Sequence, residues 1–306
     1  MSGYPPLPPG SLIGIVAPAG PVSARRLAQL PALYAKFGYR TRIHPGCRQR
    51  SGYLAGSDDI RLADLHAALG DDEVAAIHCL RGGYGAMRLI DRIDGDLLRR
   101  CPKLLIGYSD ITALHALWHR HGLACLHAPM PASDLLLPGR EADRDALFAL
   151  LQGGLRAGTV LAPPLDPAPR SQGLHVAGSA NGPLVGGNLS LVAALLGTPW
   201  AWRMQGAVLF LEDINEEPYR VDRLLTQLRL AGVLEAAAGF VLGSFTKKAS
   251  PTALLIETLL PAGKPLLAGW PSGHGTPNLP LPLGLRVALD ADAGSLRLEE
   301  DLLAAK

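Results

Sequence analysis

The sequence predicts an α/β fold, with an N-terminal parallel sheet flanked by helices and a smaller, mixed α/β C-terminal domain. Short apolar runs alternate with amphipathic segments in the first half of the chain, as parallel strands joined by crossover helices require. A Pro- and Gly-rich stretch at residues 156–182 interrupts this alternation. With 306 residues, the chain is longer than one typical core needs. We therefore predict two domains, residues 1–155 and 183–306, joined by a linker at 156–182.

Apolar segments bounded by turn residues predict the strands of the N-terminal sheet. These segments cover residues 11–17, 39–43, 74–80, 104–106 and 123–127. Amphipathic helices are expected between them. Ser23 precedes one such segment, and Ser57 or Asp58 precedes another, and these residue types favour helix N-termini.

The C-terminal half continues the alternation of predicted strands and helices but ends in a different pattern. Strands are predicted at 207–211, 239–242 and 265–268, and helices at 189–196 and 221–230. The last segment, residues 283–298, alternates apolar and polar residues around a turn at 290–294. This pattern predicts a β-hairpin and makes the second domain mixed rather than purely parallel.

Composition excludes several classes of function. The net charge is +2 and the basic residues are scattered, so we expect no nucleic-acid partner. No uninterrupted apolar run is long enough to cross a membrane. The four cysteines lie far apart without a C-x-x-C pair, which favours reduced thiols in a cytoplasmic protein over disulfides or a zinc site. We predict no metal and no cofactor.

The stretch Leu104–Leu114 predicts a strand that turns sharply into a helix at a serine. Three apolar residues run into Gly107-Tyr108-Ser109-Asp110, and helix-like apolar spacing follows. Such a turn holds its central residue exposed, as in a nucleophile elbow, and Gly107 leaves the room that it needs. Ser109 is therefore a candidate nucleophile. A serine at this place is also a common helix N-cap, so both interpretations stay open.

A glycine-rich segment, Arg81–Gly85, follows the third predicted strand. Its spacing fits neither a dinucleotide fingerprint nor a P-loop. It is either a tight strand-to-helix turn or half of an oxyanion hole, with the backbone N–H of Asp110 as the other half. Both loops fall at the carboxyl ends of strands, where open α/β sheets bind ligands.

Two residues of the C-terminal half are candidates to activate Ser109. Glu212 directly follows an apolar run, and a partly buried carboxylate there would be able to orient a histidine. His274 lies between two glycines on a predicted loop, and loops carry function more often than regular elements do. If Glu212 and His274 do not meet each other and Ser109, Glu212 belongs to a solvated acidic loop and His274 is an exposed loop residue without a role.

The other histidines are weaker candidates. His127, at the end of a predicted strand, is the rival of His274 as a base. His115 and His119 lie four residues apart on the predicted helix after Ser109, but no third ligand at suitable spacing accompanies them. His78 is expected inside a buried strand.

Several motifs follow one another along the chain and together are far more specific than each is alone. They are Arg81–Gly85, Gly107–Asp110, Gly186–Leu189, Leu211–Glu216 with Pro218 and Arg220, and Gly273–His274. In this order they resemble the LD-carboxypeptidase family of serine peptidases. The similarity extends over almost the whole chain, from Ile15–Pro18 to Leu281–Gly284.

The resemblance implies a cytoplasmic enzyme of cell-wall recycling. Such an enzyme removes the terminal D-Ala from a murein tetrapeptide, at the bond that joins it to meso-diaminopimelate. The residues that match the family's triad are Ser109, Glu212 and His274, and those that match its oxyanion hole are Gly83 and Asp110. The family is often dimeric, so we expect a homodimer with a murein peptide as substrate.

Further residues are candidates for substrate contacts. An exopeptidase needs a cation for the product carboxylate, and Arg81 and Arg220 are the candidates. Tyr108, Asn188 and Trp200 either line the pocket or are packing residues. Since Glu212 and His274 lie beyond the linker from Ser109, we expect the active site in the cleft between the two domains.

Alternative functions remain open at this point. A related branch, the microcin-immunity peptidases, shares the triad but acts as a peptidase or amidase on peptide–nucleotide substrates. A non-catalytic module would keep the cleft only to bind a peptide. An amidotransferase-like enzyme would need a cysteine at the elbow, and Cys79 comes nearest to that position.

Overall fold

The computed structural model describes residues 3–246 and 250–303, which form two β-sheets with helices packed against them. The strands, in chain order, are β1 (Leu12–Val16), β2 (Arg40–Ile43), β3 (Val74–Cys79), β4 (Leu104–Gly107), β5 (Cys125–His127), β6 (Val160–Leu161), β7 (Ser179–Asn188), β8 (Val208–Ile214), β9 (Gly239–Thr246), β10 (Leu266–Ala268), β11 (Leu281–Leu283), β12 (Arg286–Asp290) and β13 (Ser295–Leu298).

The helices separate most of these strands in the chain. They are α1 (Ala24–Ala35), α2 (Asp58–Gly70), α3 (Gly95–Arg100), α4 (Thr112–Arg120), α5 (Glu141–Gly153), α6 (Pro167–Ser171), α7 (Leu189–Ala194), α8 (Pro218–Leu230), α9 (Val233–Ala236) and α10 (Thr252–Leu259). Ser23 and Ser57 cap α1 and α2 as predicted, since each hydroxyl accepts a hydrogen bond from a backbone N–H of the first turn.

The first sheet has the order β11-β5-β4-β3-β1-β2. Its five N-terminal strands are parallel and almost fully buried, apart from the edge strand β2. The sixth strand, β11, comes from the far C-terminal part of the chain and pairs antiparallel with β5. The two halves of the chain are therefore joined by strand pairing as well as by packing.

The second sheet has the order β10-β9-β8-β7-β12-β13-β6. Strands β7 to β10 are parallel, whereas β12, β13 and β6 pair antiparallel. The predicted hairpin is thus confirmed as β12 and β13. The predicted fold class, a parallel α/β sheet followed by a mixed α/β unit, is also confirmed.

Two local expectations need correction. Glu212 does not follow a strand but lies inside β8, because β8 stays paired on both sides beyond the apolar run. The segment 156–182, predicted as a linker, contains β6, α6 and the start of β7, and β6 adds to the edge of the second sheet.

None of the helices in the described parts of the chain combines the length and the apolar character needed to cross a bilayer.

Candidate active site

The predicted sharp turn is present at Ser109. This residue follows β4 with φ of +63°, in the left-handed region that a non-glycine residue rarely adopts. It opens a short 3-10 turn, Ser109–Ile111, that leads into α4. A side chain at Gly107 would approach Ile111 and Cys79 to 3.1–3.2 Å. The glycine therefore allows β4, the turn and the neighbouring strand to pack closely.

The three residues that match the family's triad lie in one hydrogen-bonded row. The Oγ of Ser109 is 3.1 Å from Nε2 of His274, and Nδ1 of His274 is 2.7 Å from Oε2 of Glu212. These residues come from a turn after β4, from β8 and from a loop after β10. The structure thus joins a hydroxyl, an imidazole and a carboxylate that are separated by up to 165 residues in the sequence.

Glu212 is suited to orient the imidazole because its carboxylate is fully buried and fixed. Its Oε2 accepts a second hydrogen bond from the backbone N–H of His274 at 3.2 Å, and its Oε1 lies 3.4 Å from the Asn188 amide nitrogen. A Cβ at Gly273 would lie only 2.6 Å from Oε2 of Glu212. A glycine before His274 therefore lets the loop backbone approach the carboxylate.

The electrostatics of His274 fit a base that exchanges a proton with Ser109. Burial of the ring lowers its pKa, but the charge of Glu212 and its hydrogen bond outweigh burial and raise the pKa above the ordinary histidine value. The side chain remains 11% exposed, so part of the imidazole is still accessible to solvent. Its ring lies against Tyr108, with the ring centroids 4.8 Å apart.

Asp213, next to Glu212, has a different environment. Its carboxylate accepts hydrogen bonds from the Asn188 amide and from both the N–H and the hydroxyl of Ser190. Burial and the neighbouring charge of Glu212 raise the pKa of Asp213. The buried side chain of Asn188 therefore lies between two carboxylates and holds Glu212 in place. We infer this supporting role for Asn188, whose contact with a substrate stays an untested prediction.

The candidate oxyanion donors lie beside Ser109. A Cβ at Gly82 would be 2.9 Å from Cβ of Ser109, 3.0 Å from its Oγ and 3.5 Å from the amide nitrogen of Asp110. The glycine loop therefore lies directly against the nucleophile turn. Within residues 3–246 and 250–303, the backbone N–H groups of Gly83 and Asp110 donate to no acceptor, so both are free to bind an anion.

The side chain of Asp110 ties the turn to the glycine loop. It is buried, and its Oδ2 accepts a hydrogen bond from the backbone N–H of Ala86 at 2.8 Å. Burial raises the pKa of this carboxyl to about 6, although the Ala86 N–H and the charge of Arg61 act in the opposite direction. The side chain thus fixes the turn against the glycine loop, and the backbone N–H of Asp110 remains a candidate oxyanion donor.

Three residues that the sequence analysis missed hold the histidine loop. The amide oxygen of Asn278 accepts a hydrogen bond from Gly273 N–H at 2.9 Å, and the Asn278 N–H donates to buried Asp143 on α5. Arg140 bridges Asp143 and the carbonyl oxygen of Gly275, at 2.8 Å each. The loop is therefore fixed on both sides of His274. No local sequence signal marks these residues, because the contacts join segments 135 residues apart.

The remaining residues predicted to contact substrate differ in how close they lie to the candidate catalytic residues. Tyr108 is buried behind the imidazole, and its hydroxyl donates to Asp134. Trp200 is partly buried against the core. Arg81 borders a cleft beside Gly83. Arg220 lies on α8 and pairs with Glu216, which precedes that helix. Of the two arginines, only Arg81 is close to the candidate oxyanion donors.

The rival residues are less suited to catalysis. His127 and His115 are fully buried, and burial holds the pKa of both rings well below the ordinary histidine value. The thiol of Cys79 is buried at the end of β3, and burial raises its pKa, which keeps it protonated. The described residues contain no group of three metal-ligating side chains placed to hold an ion.

Comparison with known proteins agrees with this geometry. Models of the LD-carboxypeptidase N-terminal and C-terminal domains match residues 13–128 and 181–289. A probable murein peptide carboxypeptidase of Bacillus subtilis (strain 168) is 37% identical, over 92% of this chain and 89% of its own length. The crystal structure of muramoyltetrapeptide carboxypeptidase from Oxalobacter formigenes is 29% identical with a TM-score of 0.83, covering 96% of this chain and 100% of that one. The microcin C7 self-immunity protein MccF has a TM-score of 0.88 over 98% and 99% of the chains, but at 23% identity it shows a shared fold alone.

Proposed function

This chain belongs to the LD-carboxypeptidase family of serine carboxypeptidases, and from this we propose that it releases the C-terminal D-Ala of a murein tetrapeptide. The proposed substrate is supported by similar proteins that are named for murein peptides. The observation that carries the proposed chemistry is the hydrogen-bonded row from Ser109 through His274 to Glu212.

The reaction is acyl transfer in two steps. Nε2 of His274 takes the proton of the Ser109 hydroxyl while Oγ attacks the scissile carbonyl carbon. The tetrahedral intermediate then collapses, the C–N bond breaks, and His274 gives its proton to the leaving amine of D-Ala. In the second step a water molecule, deprotonated by His274, attacks the acyl group and restores the Ser109 hydroxyl.

Glu212 acts on the imidazole rather than on the substrate. Its hydrogen bond to Nδ1 holds the tautomer in which Nε2 is free to accept a proton. Its negative charge stabilises the imidazolium that forms during attack, in agreement with the raised pKa of His274. The Asn188 amide donates a hydrogen bond to this carboxylate. Gly273, which has no side chain, lets the backbone of the histidine loop approach it closely.

The oxyanion of the intermediate is assigned to the backbone N–H groups of Gly83 and Asp110. Both donors belong to segments that pack against Ser109 and neither is used elsewhere in the described chain. Donors preorganised in this way stabilise charge as it develops, and loss of one typically costs about 3 kcal/mol.

The wider setting is part of the same proposal. A murein tetrapeptide with a free carboxyl terminus is a product of cell-wall turnover, so we place the enzyme in the cytoplasm, in the recycling of such peptides. We also propose a homodimer, as is frequent in the family. Neither nucleic acid nor membrane is required by this reaction.

The experiment is to incubate the purified protein with murein tetrapeptide and to quantify free D-Ala. We expect release by the wild type, and a loss of about 10⁴-fold or more in kcat for Ser109→Ala. A tetrapeptide that ends in L-Ala serves as the stereochemical control and should be a poor substrate. Full release by Ser109→Ala would remove Ser109 as nucleophile, and hydrolysis of an aminoacyl-sulfamoyl nucleoside alone would favour the microcin-immunity branch.

A further inference from the structure

A cleft of about 500 Å³ opens next to the glycine loop, on the first-sheet side of the candidate active site. Its lining includes the side chains of Arg50, Arg81, Tyr53 and Tyr84 and the backbone of Gly83. We call this space the two-arginine cleft. It directly adjoins one of the two backbone N–H groups assigned to the oxyanion.

Both guanidinium groups of this cleft lack an acidic partner. Arg81 donates only to the carbonyl oxygens of Gly82 and Pro21, at 3.2 and 3.4 Å. Arg50 is exposed, and within the described ranges no carboxylate forms an ion pair with it or with Arg81. Two uncompensated cations around one concave space favour the binding of an anion.

Three neighbouring arginines, unlike Arg50 and Arg81, do have acidic partners. Arg61 and Arg88 both pair with Asp58, and Arg92 pairs with Asp59. Acidic side chains are thus available nearby but are directed to other arginines. The cleft keeps its positive charge because no carboxylate in residues 3–246 or 250–303 forms an ion pair with Arg50 or Arg81.

Arg81 lies beside Gly83, one of the two candidate oxyanion donors. A Cβ built on Gly83 would lie 3.9 Å from Nη2 of Arg81, so the guanidinium is close to the backbone of the oxyanion donor. One residue spans at most about 3.6 Å along the chain. Because the terminal carboxylate is one residue away from the scissile carbonyl, the closeness of Arg81 to Gly83 is compatible with contact between this guanidinium and that carboxylate.

Arg220 does not compete for this role. Its guanidinium pairs with Glu216 at 3.6 Å and donates to the hydroxyl of Tyr219, and both partners lie next to it on or beside α8. The groove that it borders includes neither Gly83 nor a residue of the triad. Of the two cations predicted for the product carboxylate, the geometry favours Arg81.

We infer that the two-arginine cleft binds the α-carboxylate of the leaving amino acid, an inference that rests on the proposed function. Arg81 contacts this carboxylate from the side of the glycine loop, and Arg50 contacts it from the opposite loop. Tyr53 and Tyr84, whose rings lie edge to face 5.6 Å apart, are exposed and border the same space. A chain with further residues after the scissile bond would bring no carboxylate to the arginines, so the cleft selects exopeptidase cleavage.

The test compares two substrates that differ only at the carboxyl terminus: the murein tetrapeptide and its C-terminal carboxamide. The ratio of kcat/KM for acid over amide is measured for the wild type, Arg50→Gln and Arg81→Gln. Each variant removes a charge-assisted hydrogen bond to the acid only, so we expect the ratio to fall about tenfold in each. Arg50 is exposed, so Arg50→Gln tests the inference even if Arg81→Gln fails to fold.

Arg48→Gln is the matched control, because Arg48 is an exposed arginine at the end of a short 3-10 helix just before Arg50 and does not line the cleft. It should keep the acid-to-amide ratio of the wild type, since both carry Arg50 and Arg81. A ratio that is unchanged in Arg50→Gln and Arg81→Gln, or that falls equally in Arg48→Gln, would overturn the inference while D-Ala release continues. A wild type that cleaves neither substrate would instead overturn the proposed function, and the inference with it.

Discussion

The two halves of the candidate active site are built in different ways. The nucleophile turn depends on neighbours in the chain: β4 ends at Gly107, Ser109 turns, and α4 begins at Thr112. The histidine loop, residues 273–278, depends on distant partners, namely Glu212 on β8, Asp143 on α5 and Arg140 at the N-cap of that helix. One half is thus specified locally, whereas the other takes its shape from the assembled fold.

This difference decides how each half responds to substitution. In the turn, the backbone is strained and closely packed, so small steric changes should displace the hydroxyl. In the loop, a hydrogen-bond network fixes the imidazole, so the loss of one bond should loosen it without a clash. The predictions below separate these two kinds of positioning.

Among the substitutions that test positioning, the largest effect is expected for Gly82→Ala, which acts on the turn. The added Cβ would lie 2.9 Å from Cβ of Ser109, closer than non-bonded carbons approach, so Ser109 or the glycine loop must move. A misplacement of this order in an active site costs about a hundredfold in rate. We expect kcat/KM for D-Ala release to fall by about that factor.

Gly153→Ala is the matched control, because a Cβ at Gly153 meets nothing within 4 Å. It should retain wild-type activity. An active Gly82→Ala variant would show that the turn adapts, contrary to the rigid packing described here.

A smaller effect is expected for Arg140→Met, which acts on the loop. Methionine keeps much of the aliphatic volume but removes the hydrogen bond to Gly275 and the ion pair with Asp143. A hydrogen bond from a charged group is worth about 1.5–3 kcal/mol, and only part of this should reach the transition state. We expect kcat to fall about tenfold.

Arg144→Met is the control for that substitution. Arg144 lies in the first turn of α5, just after Arg140 at the N-cap, and its side-chain exposure is similar, 17% against 15%. It donates to the carbonyl oxygens of Leu135 and Leu137 instead of the histidine loop. Both variants should lose thermal stability, and only Arg140→Met should lose activity at temperatures where both are folded. Equal activity losses would mean that Arg140 acts through stability alone.

The smallest effect is a shift in the pH profile. His274 must be neutral to accept a proton, so kcat/KM should fall as the pH drops through its pKa, which Glu212 raises above the ordinary histidine value. In Glu212→Gln the charge is lost while burial, which lowers the pKa, remains. The acid limb of the residual activity should therefore move to lower pH, and an unmoved limb would argue that another group titrates.

The same contrast explains what the sequence alone was able to predict. The strands of the first sheet, the sharp turn at Ser109 and the hairpin of β12 and β13 follow from local patterns of apolar residues and glycines. Glu212 and His274 were identified as candidates, but the alternatives of an acidic loop and a loop histidine were left open by residue pattern alone. Only their mutual distance, 2.7 Å between carboxylate and imidazole, distinguishes a pair from two isolated residues.

Other features depend on long-range pairing and had no local signal. The polar residues at the end of β8 gave no indication that the strand continues through Glu212, because pairing with β7 and β9 maintains it there. β6 has two residues and β11 has three, too short for a periodic pattern. The loop contacts of Arg140, Asp143 and Asn278 become apparent only when the two sheets are assembled.

The central claim is that an imidazole from the distant loop activates the alcohol on the local turn. The most direct measurement is the rate at which a fluorophosphonate labels the protein, followed by intact mass and peptide mapping, for the wild type and His274→Ala. We predict one adduct per chain on Ser109, formed about a thousandfold more slowly in His274→Ala. Labelling at the same rate in both proteins, or an adduct on another residue, would contradict the account.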